Sequence, residues 1–168
     1  MEKWDMYTRD GKVTGITINR GEATPDGLYH LGCEVLVRHE DGSILCMKRA
    51  MSKQDYPGWF EATVGGAALA GEDKIQCIKR ELREETGIVC DDFCEIGCHI
   101  SDEDRGILYN FVCTVNCDKD SITLQEGETE DYKWMTEAEF SAFVNSGEMI
   151  QPQKKRLTDY FMTMKYIV

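Results

Sequence analysis

A chain of 168 residues with 42% apolar and 30% charged residues and only 3 prolines is composed like a folded globular protein. Its length is that of one domain, residues 1–168, which can bury about 70% of its unfolded surface without disulfides or a structural metal. The 19 basic against 31 acidic side chains, a formal net charge of −12, repel polyphosphate backbones and anionic lipid surfaces, so neither a nucleic-acid polymer nor a membrane is the expected partner.

No apolar run reaches the ~20 residues that span a bilayer, and Met1-Glu2-Lys3-Trp4-Asp5 has no signal-peptide core. A cytoplasmic protein is expected, with a homodimer left open. Trp4 to Arg20 alternates around Asp10-Gly11 and reads as a β-hairpin with a two-residue turn. Pro25-Asp26-Gly27 is a linking turn. Leu31–Arg38 and Ser43–Lys48, joined by Glu40-Asp41-Gly42, form a second hairpin, and Trp59–Val64 is a further strand after Pro57-Gly58.

From Asp73 to Thr86 the spacing becomes helical, with Ile75, Ile78 and Leu82 on one stripe and Gly87 placed to stop the helix. Strands are expected at 88–101 and 106–115, then an acid-rich loop over 125–131. Thr136 caps a short helix, and Lys154 to Ile167 reads as a terminal helix. Of the eight cysteines, Cys90, Cys94 and Cys98 recur every fourth residue, as do Cys113 and Cys117. Residues four apart share a face of a strand, and the paired C-x2-C spacing favoured by zinc is absent, so these thiols read as small apolar residues in a reduced protein.

The chemistry concentrates on the 73–86 helix. At about 100° per residue, Glu81, Glu84 and Glu85 fall within an arc of about 100° beside the apolar stripe, at the rim of the core. Like charges ~4 Å apart repel by about 4 kcal/mol at an effective dielectric near 20, and a divalent cation converts that repulsion into coordination. Oxygen ligands in this number suit Mg²⁺ or Mn²⁺. Gly65-Gly66 ends the preceding strand, where the lack of a side chain lets backbone carbonyls approach an ion.

Gly66, Glu72, Arg80, Glu81, Leu82, Glu84, Glu85, Gly87 and Ile88 fit the Nudix box, GX5EX7REUXEEXGU with U aliphatic, at every defined position. The chain therefore resembles a Nudix hydrolase. The resemblance implies an α+β fold, an α/β/α sandwich around a mixed sheet, and Mg²⁺- or Mn²⁺-dependent hydrolysis of a nucleoside diphosphate linked to another moiety. By position, Glu81, Glu84 and Glu85 resemble the metal-site acids, the Gly65 carbonyl a main-chain ligand, and Arg80 the residue that orients the glutamates. Glu72 resembles a supporting residue. Glu128 resembles the distal acid that completes some metal sites, with Glu126 and Glu130 as competing candidates.

Trp4, Thr14-Gly15, Arg20-Gly21-Glu22, Tyr29-His30 and the stretch from Lys48-Arg49 through Lys53 to Pro57-Gly58 are similar to the branch that includes isopentenyl-diphosphate isomerase. In that branch Arg49 and Lys53, four apart, resemble a diphosphate clamp. The isomerase itself is a rival reading, but its strand-end cysteine is replaced here by Gly65, and Cys33 and Cys46 lie on other strands. A nucleotide-binding sensor is a third reading, against which stand the three intact glutamates. His30, Trp59, Phe60 and Tyr109 are candidates for substrate contact, with core packing the competing role for each.

Overall fold

The computed structural model describes residues 1–167; Val168, the last residue of the expected domain, lies outside them. A hairpin of β1 (Lys3–Tyr7) and β2 (Val13–Asn19) opens the chain. Its connection covers residues 8–12 rather than the expected two-residue turn, with Gly11 at φ +82° and its N–H donating to the Thr8 carbonyl.

The main sheet has seven strands: β3 (His30–His39), β4 (Ile44–Arg49), β5 (Phe60–Glu61), β6 (Val64–Ala67), β7 (Cys94–Ser101), β8 (Gly106–Val115) and β9 (Thr129–Met135). It is mixed, because β3 pairs parallel with β8 over its whole length and antiparallel with β6. β3 and β4 pair at Arg38↔Ile44, after which β4 is taken up by β5 and β9.

Strand alternation divides the core in two. Val35 and Val37 of β3 and Leu45 and Met47 of β4 pack with Cys77, Ile78 and Leu82 of α1 (Lys74–Thr86). On the other face Leu36, Ile44 and Cys46 meet Phe140, Val144, Leu157 and Phe161 of α2 (Glu137–Asn145) and α3 (Gln151–Thr163). The sheet thus lies between helices, as the resemblance implied. Among the described residues no helix is long and apolar enough to cross a membrane.

Several expectations change. The strand expected over Trp59–Val64 is two strands, because the chain crosses at Ala62-Thr63 from the β4 side to the β3 side; Gly65 and Gly66 then lie within β6 and do not end a strand. The strand expected over 88–101 starts only at Cys94. A bulge at Ile96 reverses its phase, so Cys94 pairs with Val112 and Cys98 with Tyr109, placing the two thiols on opposite faces. The acid-rich loop is shorter than expected, since β9 begins at Thr129. The terminal helix starts at Gln151 and stops at Thr163.

Candidate functional site

Local rules fix the α1 helix. The Asp73 carboxylate accepts from Ile75 and Gln76 N–H at 2.9 and 2.8 Å, Gln76 answers by accepting from Asp73 N–H, and Gly87 closes the C-terminus at φ +76°. With the apolar stripe buried against β3, Glu81 and Glu85 are carried inward, to 9% and 8% exposure, while Glu84 stays at the rim.

Two glycines make room. A Cβ on Gly65 would lie 2.0 Å from the Cys33 carbonyl oxygen, so β3 and β6 pair at this register only with glycine there. A Cβ on Gly66 would lie 2.6 Å from Glu81 Oε1, which means the Glu81 carboxylate occupies the volume a side chain would take. The helix acids and this strand therefore meet at van der Waals distance.

Arg80 ties the acids together. Its guanidinium donates to Glu72 at 2.7 and 3.0 Å, Glu81 at 2.8 Å, Glu84 at 3.1 Å and the Ala67 carbonyl at 3.0 Å. Glu72 accepts in turn from Leu69 N–H at 2.8 Å, a supporting role between helix and loop. These bonds to carboxylates raise the Arg80 pKa further, and burial raises that of Glu81 against the pull of Arg80.

Glu85 is the exception. Among the described residues it has no hydrogen-bond or ion-pair partner, and burial together with the fields of Glu81, Glu61 and Glu128 holds its pKa well above the usual carboxylate range, against the weaker opposing field of Lys53. A buried carboxylate facing three others inside a cavity is costly unless a cation joins it.

That cavity, about 220 Å³, brings together most of the residues singled out from the sequence: Arg49, Lys53, Gly65, Arg80, Glu81, Glu84, Glu85 and Glu128. Glu126 is not among its lining residues, and Glu130 pairs with Lys48 at 2.9 Å. Arg49 and Lys53 are not free cations there, since Arg49 pairs with Glu61 and Lys53 with Glu128. Tyr109 lies away from this cavity, under the Lys74 ammonium at 4.3 Å, and His30 stacks on Trp4 at 5.1 Å.

The all-oxygen donor set and the unpaired Glu85 suit a hard divalent cation. Among the described residues no three His, Cys, Asp or Glu side chains converge on one point, because Arg80, Arg49 and Lys53 each draw a carboxylate toward themselves. Glu61, half-buried on the two-residue strand β5, was not foreseen; its pKa is raised by burial, against the pull of Arg49. Only its alternation with Trp59 marked it, and the reading of 59–64 as one strand hid it.

Comparison with known proteins agrees with this geometry. The NUDIX domain profile matches residues 28–160. An uncharacterized Nudix hydrolase of Listeria monocytogenes is 32% identical over 153 residues, which cover 89% of each chain. An isopentenyl-diphosphate Delta-isomerase of Corynebacterium diphtheriae is 26% identical over 145 residues, 81% of this chain and 79% of that one. The crystal structure of DR0079 from Deinococcus radiodurans shares the fold, with a TM-score of 0.68 at 19% identity over 88% of this chain and 91% of that one.

Proposed function

From the premise that this chain belongs to the Nudix family, we propose that it hydrolyses the phosphoanhydride bond of a small diphosphate metabolite, a nucleoside diphosphate linked to another moiety. The observation that carries this is Glu85, a buried carboxylate without a partner of its own in a cavity lined by the complete box. Glu81, Glu84 and Glu85, with the Gly65 carbonyl and Glu128 from across the cavity, would hold Mg²⁺ or Mn²⁺. The ion would neutralise phosphate oxygens and acidify the attacking water.

The chain's own residues do the rest. Arg80 keeps Glu81 and Glu84 in register with the strand by donating to four groups, the Glu72, Glu81 and Glu84 carboxylates and the Ala67 carbonyl. Glu81 and Glu85 are poorly hydrated, so their charge acts on the reacting group with little screening. Glu85, the box acid that no cation pairs with, is the candidate to accept a proton from the attacking water, and Glu128, on the loop before β9, reaches the same cavity from a second element.

The isomerase reading has the relative from Corynebacterium in its favour and Gly65 against it, where no side chain fits. Nucleoside diphosphates, nucleoside triphosphates, nucleotide sugars and prenyl diphosphates, incubated with Mg²⁺ or Mn²⁺, separate the readings. Phosphate-containing products that vanish in EDTA are expected. Full activity in EDTA, or conversion of isopentenyl diphosphate into its isomer without hydrolysis of any substrate, would overturn the assignment.

A further inference from the structure

The acid cavity continues into a second hollow of about 370 Å³, and both are lined by Arg49, Glu61, Gly65, Gly66 and Ala67. Lys53, the expected second half of a diphosphate clamp, does not line this hollow; it faces the acid cavity, paired with Glu128. A different cation does line it, Arg156 of the C-terminal helix α3.

Arg49 and Arg156 are built alike. Arg49 reaches the hollow from the end of β4, with Nη1 on the Glu61 carboxylate and Nε donating to the Asp55 carbonyl at 2.9 Å. Arg156 reaches it from α3, with Nε and Nη2 donating to the two Glu34 carboxylate oxygens at 3.0 and 3.1 Å. Each arginine side chain is about one-fifth exposed. Each has five N–H donors and uses two in these bonds, so three remain on each to meet acceptor oxygens.

Glu34 is itself immobilised. It is 6% exposed and accepts from Thr63 Oγ1 at 3.0 Å; Thr63 accepts from Gln153 Nε2 at 2.6 Å, and Gln153 Oε1 accepts from Ala62 N–H at 2.7 Å. The chain of bonds returns to Ala62-Thr63, the crossing that leads directly into Gly65. Arg156 is thus held in fixed relation to the strand that lines the acid cavity. Replacing a buried ion pair by apolar residues is often neutral or stabilising, so stability alone gives this pair no reason to exist. The two guanidiniums are balanced by Glu34 and Glu61, which makes the hollow a set of oriented donors and not a general attractor of anions.

We infer that Arg156 is a substrate-binding residue which, together with Arg49, grips the phosphate that is not attacked while the other phosphate lies against the box acids. This rests on the hydrolase reading above. The remainder of the substrate continues past Arg156 into a third hollow of about 560 Å³, which shares His30, Gly32, Leu108, Pro152 and Arg156 with the second and ends at His99, Ser101 and Lys155. An arm of that size and polarity suits a nucleoside-sized group and leaves a five-carbon prenyl chain without apolar walls on all sides.

The test uses Arg156→Lys, which keeps the charge but loses the fork, and Glu34→Gln/Arg156→Met, which removes both charges so that no buried carboxylate is stranded. Steady-state kinetics are run on the best diphosphate of the panel, and calorimetry measures methylenediphosphonate binding with Mg²⁺ and, separately, Mn²⁺ alone. Both variants should raise KM and weaken methylenediphosphonate by about 10- to 100-fold, the usual size of a lost hydrogen bond to a charged group. Their kcat should stay within about 3-fold, and Mn²⁺ affinity should be unchanged. Unaltered KM and methylenediphosphonate affinity in either folded variant would make Arg156 a structural brace only and overturn the inference. Absence of hydrolysis by the wild-type protein would instead refute the hydrolase reading, while methylenediphosphonate binding would still decide on the clamp.

Discussion

Replacing Glu85 by Gln separates the cost of this residue to the fold from its value to the chemistry. Without metal, the substitution keeps shape and volume while removing a charge that is 8% exposed, unpaired, and faced by Glu81, Glu61 and Glu128. An unsatisfied buried group costs about 1–3 kcal/mol, more when charged. For a chain of 168 residues that corresponds to a Tm gain of about 2–12 °C in EDTA at pH 7.5. The sign follows from linkage. Because the folded-state pKa of Glu85 lies above its unfolded value, the penalty is absent below the unfolded pKa and fully present only above the folded one. The Tm gap between variant and wild type should therefore close as the pH falls toward 4. With metal the order reverses: Mn²⁺ affinity should drop by more than the about 10- to 100-fold that loss of a supporting partner costs, and kcat by about 10²-fold or more. Calorimetric scans with EDTA and with Mn²⁺, at two pH values, read all of this. A lower Tm in EDTA would show that Glu85 is satisfied by the fold, and unchanged Mn²⁺ affinity would remove it from the metal site.

Arg80→Ala should lower Tm strongly, because it strands the buried Glu81 and unpairs Glu72, the kind of broken buried pair that costs about 3–5 kcal/mol; Arg80→Lys, which cannot span the same acceptors, should fall between, as thermal scans will show. Gly65→Ala forces a Cβ into the Cys33 carbonyl and should abolish or severely weaken folding, whereas Gly66→Ala meets the movable end of Glu81 and should spare Tm while weakening Mn²⁺ binding. Glu128→Gln should lower kcat strongly with little change in Tm, and Glu126→Gln and Glu130→Gln should be mild; a large effect at Glu130, which is held by Lys48 and Met51 N–H, would move the distal acid to that residue.

The fold was legible wherever short-range rules decide it. The α1 helix was visible from its stripe, cap and terminal glycine, and β3 and β8 from their runs of strand-forming residues, and each stands within one or two residues of its expected place. The departures share a cause. The crossing at Ala62-Thr63 and the bulge at Ile96 are set by which neighbour a strand pairs with, β4 then β3 in one case and the register against β8 in the other, and neither carries a turn residue to announce it. The β9 strand was hidden because it opens on acids that read as a loop: Asp131 pairs with Lys48, and Glu130 falls at the register irregularity before Arg49↔Thr129.

The same distinction separates the parts of the site. Glu81, Glu84, Glu85 and Arg80 lie within one helix, where three- and four-residue spacing dictates proximity, so the acids that gather at the cavity could be named from the sequence alone. The cations that hold acids apart could not be placed that way, because the pair Lys53 and Glu128 is 75 residues apart and the pair Glu34 and Arg156 is 122 apart. The resemblance to one branch of the family joined Arg49 and Lys53 as a clamp, and both line the acid cavity, but after Arg49 the chain leaves β4 and turns, and the two side chains pair with carboxylates of different elements, β5 and the loop before β9. The counterpart inferred for Arg49 lies on the element that folds back last, α3, where no spacing in the sequence announces it and only the tertiary contacts of Arg156 reveal it.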